Sequence, residues 1–322
     1  MNSIKSIGKA ISSFRESILI IVILLIGLFM SIMSPHFLSW RNMEAIFMGL
    51  SVEALITIGM VIVLISGGLD LSVGSTLALA GVATGLSLNV GIPVVFSILI
   101  GLLSAVMVGF VNGVLIAKVG LNPFITTLGM LMAVRGLVLV IAKGKAVLNL
   151  PMEFEIIGQG KLWGVQYPII LLFVMVLVGD TILRNSRFMR QGYYVGGNEI
   201  AAKLNGINVA LVKIVNYILV SFLAGFSGIL VTARFGSASV TVGQGMELRV
   251  ITAAIIGGAS LKGGEGTVFG AFLGAMFMGV LSNSLNLLGV GIYWQNLVTG
   301  VTLILAILLD AISEHRKTSK LV

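Results

Sequence analysis

One stretch of the sequence has the residue types of a serine nucleophile. "GFSG", residues 225–228, matches a Gly-x-Ser-Gly pattern in which a serine inside a membrane can attack a substrate. Catalysis by Ser227 requires a base within hydrogen-bonding reach. The chain has two histidines, His36 and His315, and neither lies inside an apolar run. Close packing of small residues therefore explains the motif better, and the sequence predicts no catalytic residue.

Metal and phosphate chemistry are equally poorly supported. Two isolated histidines and the absence of cysteine leave no clustered nitrogen or sulfur ligands for a metal, and exclude disulfides and thiol catalysis. The Gly-Lys pairs at 8–9, 144–145 and 160–161 are not followed by Ser or Thr, as a phosphate-binding loop requires. We therefore expect no cofactor bound by this chain, and any use of ATP would need a partner that binds it.

A polar segment in the middle of the chain, "YYVGGNEIAAKLNGIN" at 193–208, has the signals of a short helix. Asn198 can cap the start of this helix, and Gly206 fits its C-terminal end. Glu199 and Lys203 lie four residues apart in the order that favours an ion pair.

The same short helix has one apolar face. Ile200 and Leu204 share this face, with Ala201 nearby. Isolated helices shorter than about 12–15 residues are marginal in water. The segment therefore needs a partner surface.

The elements around this segment are apolar. Of the 322 residues 57% are hydrophobic and 10% are charged, against about 25% charged in soluble domains. The net charge of +8 comes from scattered residues, with no basic stripe typical of nucleic-acid binding. Residues 18–33 form a run longer than that of a signal peptide, so we expect it to be a membrane helix.

Apolar runs of membrane-spanning length recur along the chain, and the fold predicted is an all-α transmembrane bundle of about ten spans. Nine of these runs are long enough for a span, and the eighth in the list that follows is short enough to be broken or re-entrant. The predicted spans are about 16–34, 48–66, 70–89, 92–117, 122–142, 167–183, 208–233, 247–260, 266–287 and 293–311. With both termini in the cytoplasm, most of the 20 Lys and Arg residues face inward, as does segment 193–208.

Two glycine-rich loops share the pattern G-G-x-x-L-x-x-G, "GGLDLSVG" at 67–74 and "GGASLKGG" at 257–264. The orientation above places both on the cytoplasmic side, where paired glycines allow sharp turns; an internal duplication is the weaker explanation. Asp70 in the first loop is predicted to cap the third span, with a role in gating as the alternative. Arg135 is predicted to be a structural anchor that snorkels towards the outer surface.

Polar residues within or beside the spans are candidates to line a translocation path or to gate it. They are mostly uncharged, which disfavours a carrier driven by protons or sodium. The candidates are Asp70, Ser72, Asn112, Asn122, Thr126, Thr127, Asn216, Asn283, Asn286 and Asn296.

The motif "YYVGGNEIAAKLNGI" resembles the coupling helix of permease subunits in bacterial monosaccharide ABC importers of the ribose, galactose, xylose, arabinose, allose and autoinducer-2 type. The resemblance runs in order from about residue 30 to 311, and the ribose permeases are the most similar. The other segments that carry it are "ISGGLDLSVGSTLALAG" at 65–81, "NPFITTLGML" at 122–131, "GGASLKGGEGTVFGAFLGA" at 257–275 and "LNLLGV" at 285–290.

The resemblance implies a single permease domain over 1–322, with a cytoplasmic coupling segment at about 184–207. The coupling residues would be Gly196, Gly197, Asn198, Glu199, Ile200, Ala201, Ala202, Lys203, Leu204 and Gly206. It further implies a second permease copy, a cytoplasmic ABC ATPase that binds ATP and Mg, and a periplasmic or lipid-anchored sugar-binding protein. The chain would be a multi-pass protein of the bacterial inner membrane and not itself an enzyme.

Two other functions remain open at this stage. One is a permease of the same superfamily that moves nucleosides, and the other is an ion-coupled secondary carrier. The sequence leaves undetermined which sugar is moved and whether the second permease copy is identical or a paralogue.

Overall fold

The computed structural model describes residues 2–318, with the side chains of residues 16–308 and 310–312. This part of the chain forms thirteen helices and one two-stranded hairpin, which confirms the predicted all-α class. The helices are α1 (Asn2–Met33), α2 (Trp40–Ile65), α3 (Val73–Asn89), α4 (Val94–Ala117), α5 (Pro123–Ile141), α6 (Met152–Gln159), α7 (Tyr167–Asn185), α8 (Arg187–Gly197), α9 (Glu199–Leu204), α10 (Val209–Phe235), α11 (Met246–Ile256), α12 (Val268–Leu287) and α13 (Ile292–Thr318); the hairpin pairs β1 (Lys161–Leu162) with β2 (Val165–Gln166).

Eight of the described helices are long and apolar enough to cross a membrane, namely α1, α2, α4, α5, α7, α10, α12 and α13. The other two predicted spans, 70–89 and 247–260, correspond to α3 with 17 residues and α11 with 11 residues. At 1.5 Å per residue, α11 is about 16 Å long and covers about half of a hydrocarbon core. The predicted count of about ten spans thus comprises these eight helices and the shorter α3 and α11, and the eighth predicted span is short, as expected.

The two short helices run to opposite sides of the bundle. Gly81 of α3 lies against Gly228 and Thr232 of α10, so α3 follows α10 towards the end of that helix. Gly257, at the end of α11, lies instead against Gly270 near the start of α12.

The starts of α3 and α11 lie together. Gly74, at the beginning of α3, is in backbone contact with Gly243, just before α11. The chain therefore re-enters the bundle twice, before α3 and before α11, and each time a helix begins in its interior.

The two sides of the bundle can be identified from pairs of helix ends. On one side, the amide of Gly264 donates to the carbonyl of Ile65 at the end of α2, and α9 lies near the start of α10. We call this the coupling side. On the opposite side, Asn42 near the start of α2 exchanges hydrogen bonds with Asn283 near the end of α12. α6 and the hairpin lie beyond the end of α10 on this side.

Small residues allow the helices to approach closely at the core, where α10 packs against α2, α3 and α4. A Cβ added at Gly228 would lie 2.0 Å from the carbonyl oxygen of Leu77, and one at Gly274 would lie 1.9 Å from that of Ala253. The spacings Gly81-x-x-x-Gly85 and Gly270-x-x-x-Gly274 thus serve packing within one chain, as predicted.

Candidate functional site

The coupling segment is built from two short helices joined at Asn198. Asn198 is extended (φ −159°, ψ 101°), which ends α8 and starts α9, and its Oδ1 accepts a hydrogen bond from the amide of Ala201 at 2.9 Å. Gly206 has φ +79°, a conformation that favours glycine, and it lies two residues after the end of α9. The predicted cap and stop are confirmed, although α9 has only six residues and Gly196 and Gly197 belong to α8.

The predicted ion pair within this helix is wrong. The carboxylate of Glu199 binds the ammonium of Lys213 at 2.6 Å, and Lys203 is exposed. Lys213 lies in the first turns of α10, which packs beside α9 and brings this cation into reach of Glu199. The tertiary fold therefore decides the partner of Glu199, which spacing along one helix could not.

α9 presents an apolar face to solvent. Ile200 is 75% exposed and Leu204 is 83% exposed, while Ala202 is buried against Val195 and Val212. One face of the helix is thus held by the bundle and the other has no cover within the described chain. The predicted need for a partner surface agrees with this exposure.

The coupling segment meets the bundle through backbone atoms. A Cβ at Gly196 would lie 2.0 Å from the carbonyl oxygen of Ile65 and 2.7 Å from the amide of Gly264, while Gly263 lies against Gly196 and Gly67. Both glycine loops therefore lie on one side of the bundle, in agreement with their predicted placement on a common side, and they meet there. We call this contact the glycine joint.

Tyr193 adds one side-chain bond to the glycine joint. Its hydroxyl donates to the carbonyl of Gly266 at 2.8 Å. Burial raises the pKa of Tyr193 to about 12. The phenol therefore keeps its proton, and with it this hydrogen bond, through the physiological pH range.

Alanine substitution of two adjacent glycines tests the glycine joint. We expect Gly196→Ala to lower the free energy of unfolding by about 1–3 kcal/mol, because the added methyl group overlaps backbone atoms that cannot repack. Gly197→Ala is the matched control, since nothing lies within 4 Å of its added Cβ. Denaturant titration of both variants in mixed micelles measures the difference; equal stabilities would show that the joint is not tightly packed.

Three of the candidate path residues form one buried group. Oδ1 of Asp70 accepts from the amide of Ser72 at 2.8 Å and from its hydroxyl at 2.6 Å, and Asn112 donates to the Ser72 hydroxyl at 3.0 Å. All three are fully buried. The N-cap of α3 is Ser72, so Asp70 shapes the turn before the helix and does not occupy the predicted cap position.

Two oxygens of this group, Oδ2 of Asp70 and Oδ1 of Asn112, have no hydrogen-bond partner. We expect Asp70→Ala to destabilise the protein by about 1–3 kcal/mol, because the buried donors of Ser72 lose their acceptor. Asp70→Asn retains that acceptor and adds a donor for Asn112, so its unfolding transition should stay near that of the unsubstituted chain. Thermal unfolding in detergent measures both variants, and an equal loss in both would contradict the hydrogen-bonding role.

The remaining candidates on the coupling side are separate from this group. Asn122 is exposed and caps α5, where its Oδ1 accepts from the amide of Phe124 at 2.9 Å. Thr126 and Thr127 donate to carbonyls at the start of the same helix, and Thr127 also lies 3.4 Å from the carbonyl of Leu69, next to Asp70. Asn216 donates to the carbonyl of Ile62 at 3.4 Å.

The candidates on the opposite side lie between α2, α12 and α13. Asn283 pairs with Asn42, and Asn286 accepts from Gln295 at 2.7 Å. Asn296 lines a cavity there. The structure thus distributes the ten residues over several places, and their part in a path stays a prediction.

Arg135 ties the two re-entrant segments together. Its guanidinium donates to the carbonyls of Val240 at 2.7 Å, Val242 at 3.0 Å and Gly74 at 3.2 Å. The predicted anchoring role is confirmed, but the side chain reaches into the bundle rather than towards its outer surface.

Charged residues that are not among the ten candidates also occur in the interior. Glu53, near the middle of α2, binds Arg249 at 3.1 Å, and the carboxylate of Glu247 lies against Gly74. The signal that could have found the pair was a carboxylate inside the apolar run 48–66.

Ser227 has no nucleophilic arrangement. Its hydroxyl is fully buried and donates to the carbonyl of Val52 at 3.3 Å. The side chain of His315 lies outside those that the structure describes. Within the described residues there is no cluster of three or more His, Cys, Asp or Glu side chains for a metal.

Eight long apolar helices and two shorter ones that begin in the interior of the bundle define a multi-pass membrane protein. Residues 42–307 match the family described as the permease component of branched-chain amino acid transport systems, and the chain belongs to this family.

Characterised relatives cover nearly the whole chain. It is 37% identical to the ribose import permease protein RbsC of Escherichia coli strain K12 over 300 residues, which are 92% of this chain and 93% of the relative. The L-arabinose ABC transporter permease protein AraH of Azospirillum brasilense is 34% identical over 303 residues, 94% and 89% of the two chains. The D-allose transport system permease protein AlsC of Escherichia coli strain K12 is 34% identical over 291 residues, 90% and 89%.

No solved structure matches the chain. The resemblance to permeases of sugar ABC importers is confirmed by these relatives.

Proposed function

We propose that the chain is the permease subunit of an ATP-driven importer and moves a monosaccharide across the bacterial inner membrane. The observation that carries the proposal is the exposed apolar face of α9 on the side where the glycine joint lies. Relatives named as ribose, L-arabinose and D-allose permeases support the substrate class.

The partner at the coupling side is a cytoplasmic ABC ATPase, which binds ATP and Mg, and segment 184–207 docks on it. The absence of a phosphate-binding loop from this chain fits such a division of labour. The excess of Lys and Arg in segments on this side supports a cytoplasmic position for it and for both termini. Two permease copies form the membrane part, and an extracytoplasmic binding protein delivers the sugar.

Uptake by the purified components tests the proposal. Proteoliposomes that contain this chain, its ATPase and its binding protein should take up ribose, arabinose or allose only when ATP is present. Uptake of nucleosides in place of all three sugars would favour the related nucleoside permeases instead.

An ion-coupled carrier is the second candidate, and the position of Glu53 in the middle of α2 is the observation in its favour. Arg249 compensates this carboxylate, which disfavours a cycle of ion binding and release. Gradient-driven uptake by the permease alone, without ATPase, would establish the carrier and contradict the importer.

A further inference from the structure

A cavity of about 580 Å³ lies between α2, α11, α12 and α13. It extends from the Glu53–Arg249 ion pair to Ile292 at the start of α13, on the side opposite the coupling side. Small-molecule sites have volumes of about 300–1,000 Å³. The cavity therefore has room for a monosaccharide.

The polar lining of the cavity has hydrogen-bonding capacity to spare. It comprises Glu53, Gln244, Arg249, Gln295, Asn296 and Thr299. Among the described residues, the side-chain amides of Gln244 and Asn296 make no hydrogen bond, and the ion pair occupies only one oxygen of Glu53. Amides and a carboxylate together offer both donors and acceptors to a ligand.

The start of α11 adds backbone donors. Gly245 lines the cavity and is the N-cap of this helix, where it has no side chain to bind the first amides. The first amides of a helix lack partners within the helix. The amide of Met246 donates to the carbonyl of Gly243, so the amides that follow it are the ones available to oxygen atoms of a ligand.

The charge of the lining indicates the ligand class. Glu53 and Arg249 neutralise each other, so their pair favours neither a cation nor an anion. A metal ion is a poor candidate, because the described residues contain no cluster of three acidic, His or Cys side chains. A neutral molecule with many hydroxyl groups matches the mixed donors and acceptors best.

We infer that this cavity binds a neutral polyol of monosaccharide size, with Gln244, Asn296 and the free oxygen of Glu53 as its hydrogen-bonding partners. The inference rests on the proposed function and assigns the sugar a binding site within a single permease chain. The ion pair at the inner end of the cavity then lies next to the re-entrant starts of α3 and α11.

The absence of cysteine from the chain allows a direct test, because a single substitution introduces a unique thiol. Asn296→Cys and Thr299→Cys place the thiol in the cavity, and Leu297→Cys is the control, on an exposed side chain of the same helix outside the lining. The full-length variants in membrane vesicles are treated with a maleimide, with and without ribose, arabinose or allose. Leucine serves as the comparison solute.

With a sugar at several times its dissociation constant, the labelling rate at positions 296 and 299 should fall at least about threefold, with no change at 297. Unchanged rates at both cavity positions, or protection by leucine and by none of the sugars, would overturn the inference. ATP-driven sugar uptake by the unsubstituted transporter is measured separately. If ATP-driven sugar uptake is measured but the sugars do not slow labelling at positions 296 and 299, the cavity assignment fails while the proposed function stands.

Discussion

Leu204→Asp should reduce ATP-driven uptake more than tenfold while the permease stays folded in the membrane. Leu204 is 83% exposed, so its replacement removes little packing within the chain. In the proposed complex the same side chain is buried against the ATPase, where an unpaired carboxylate costs several kcal/mol and each 1.4 kcal/mol is about tenfold in affinity. Uptake in proteoliposomes, together with co-purification of the ATPase, measures the loss.

Two variants on the same helix separate the apolar face from its surroundings. Leu204→Met keeps the apolar surface and should retain uptake. Glu199→Gln breaks the ion pair with Lys213, which is partly exposed and contributes about 0–1 kcal/mol, so its effect should be small. Full coupled uptake by Leu204→Asp would reject α9 as the docking helix.

Arg135→Met should cause the largest loss of stability, about 3–5 kcal/mol in the free energy of unfolding. Its guanidinium binds three backbone carbonyls, and hydrogen bonds to charged groups contribute about 1.5–3 kcal/mol each. Without Arg135, the segments before α3 and α11 lose the side chain that joins them. Denaturant titration in mixed micelles measures the change.

The free energy of unfolding of Arg135→Lys should lie between those of the unsubstituted chain and of Arg135→Met, because one ammonium group cannot reproduce the planar fork of donors. Arg184→Met is the control for loss of an arginine, since Arg184 forms an exposed ion pair with Asp180 one turn away and should change stability by less than about 1 kcal/mol. Similar losses in Arg135→Met and Arg184→Met would contradict the bridging role.

Local signals in the sequence predicted local structure well. The cap by Asn198 and the stop at Gly206 depend on residues within a few positions of each other, and both were predicted correctly. The long apolar helices were found for the same reason, because a run of about 20 apolar residues is itself the signal.

Contacts between distant segments were not predictable in this way. The pairing of Glu53 with Arg249 joins residues far apart in sequence, and it depends on the chain re-entering the bundle before α11. Glu199 likewise binds Lys213 and not Lys203 because α10 packs beside α9. Periodicity and spacing describe one element at a time, so they can mark Glu53 as unusual but cannot identify the partner of either carboxylate.

The glycine joint also links two loops that lie far apart in the sequence. Gly67, Gly196, Gly263 and Gly264 meet there through main-chain atoms, and main-chain atoms have no alternative rotamers with which to take up a displacement. The coupling segment therefore has little freedom to move without moving the two loops that it contacts. We expect a displacement of α8, which carries Gly196, to be passed directly to Gly67, Gly263 and Gly264, so that both glycine loops move with the coupling segment.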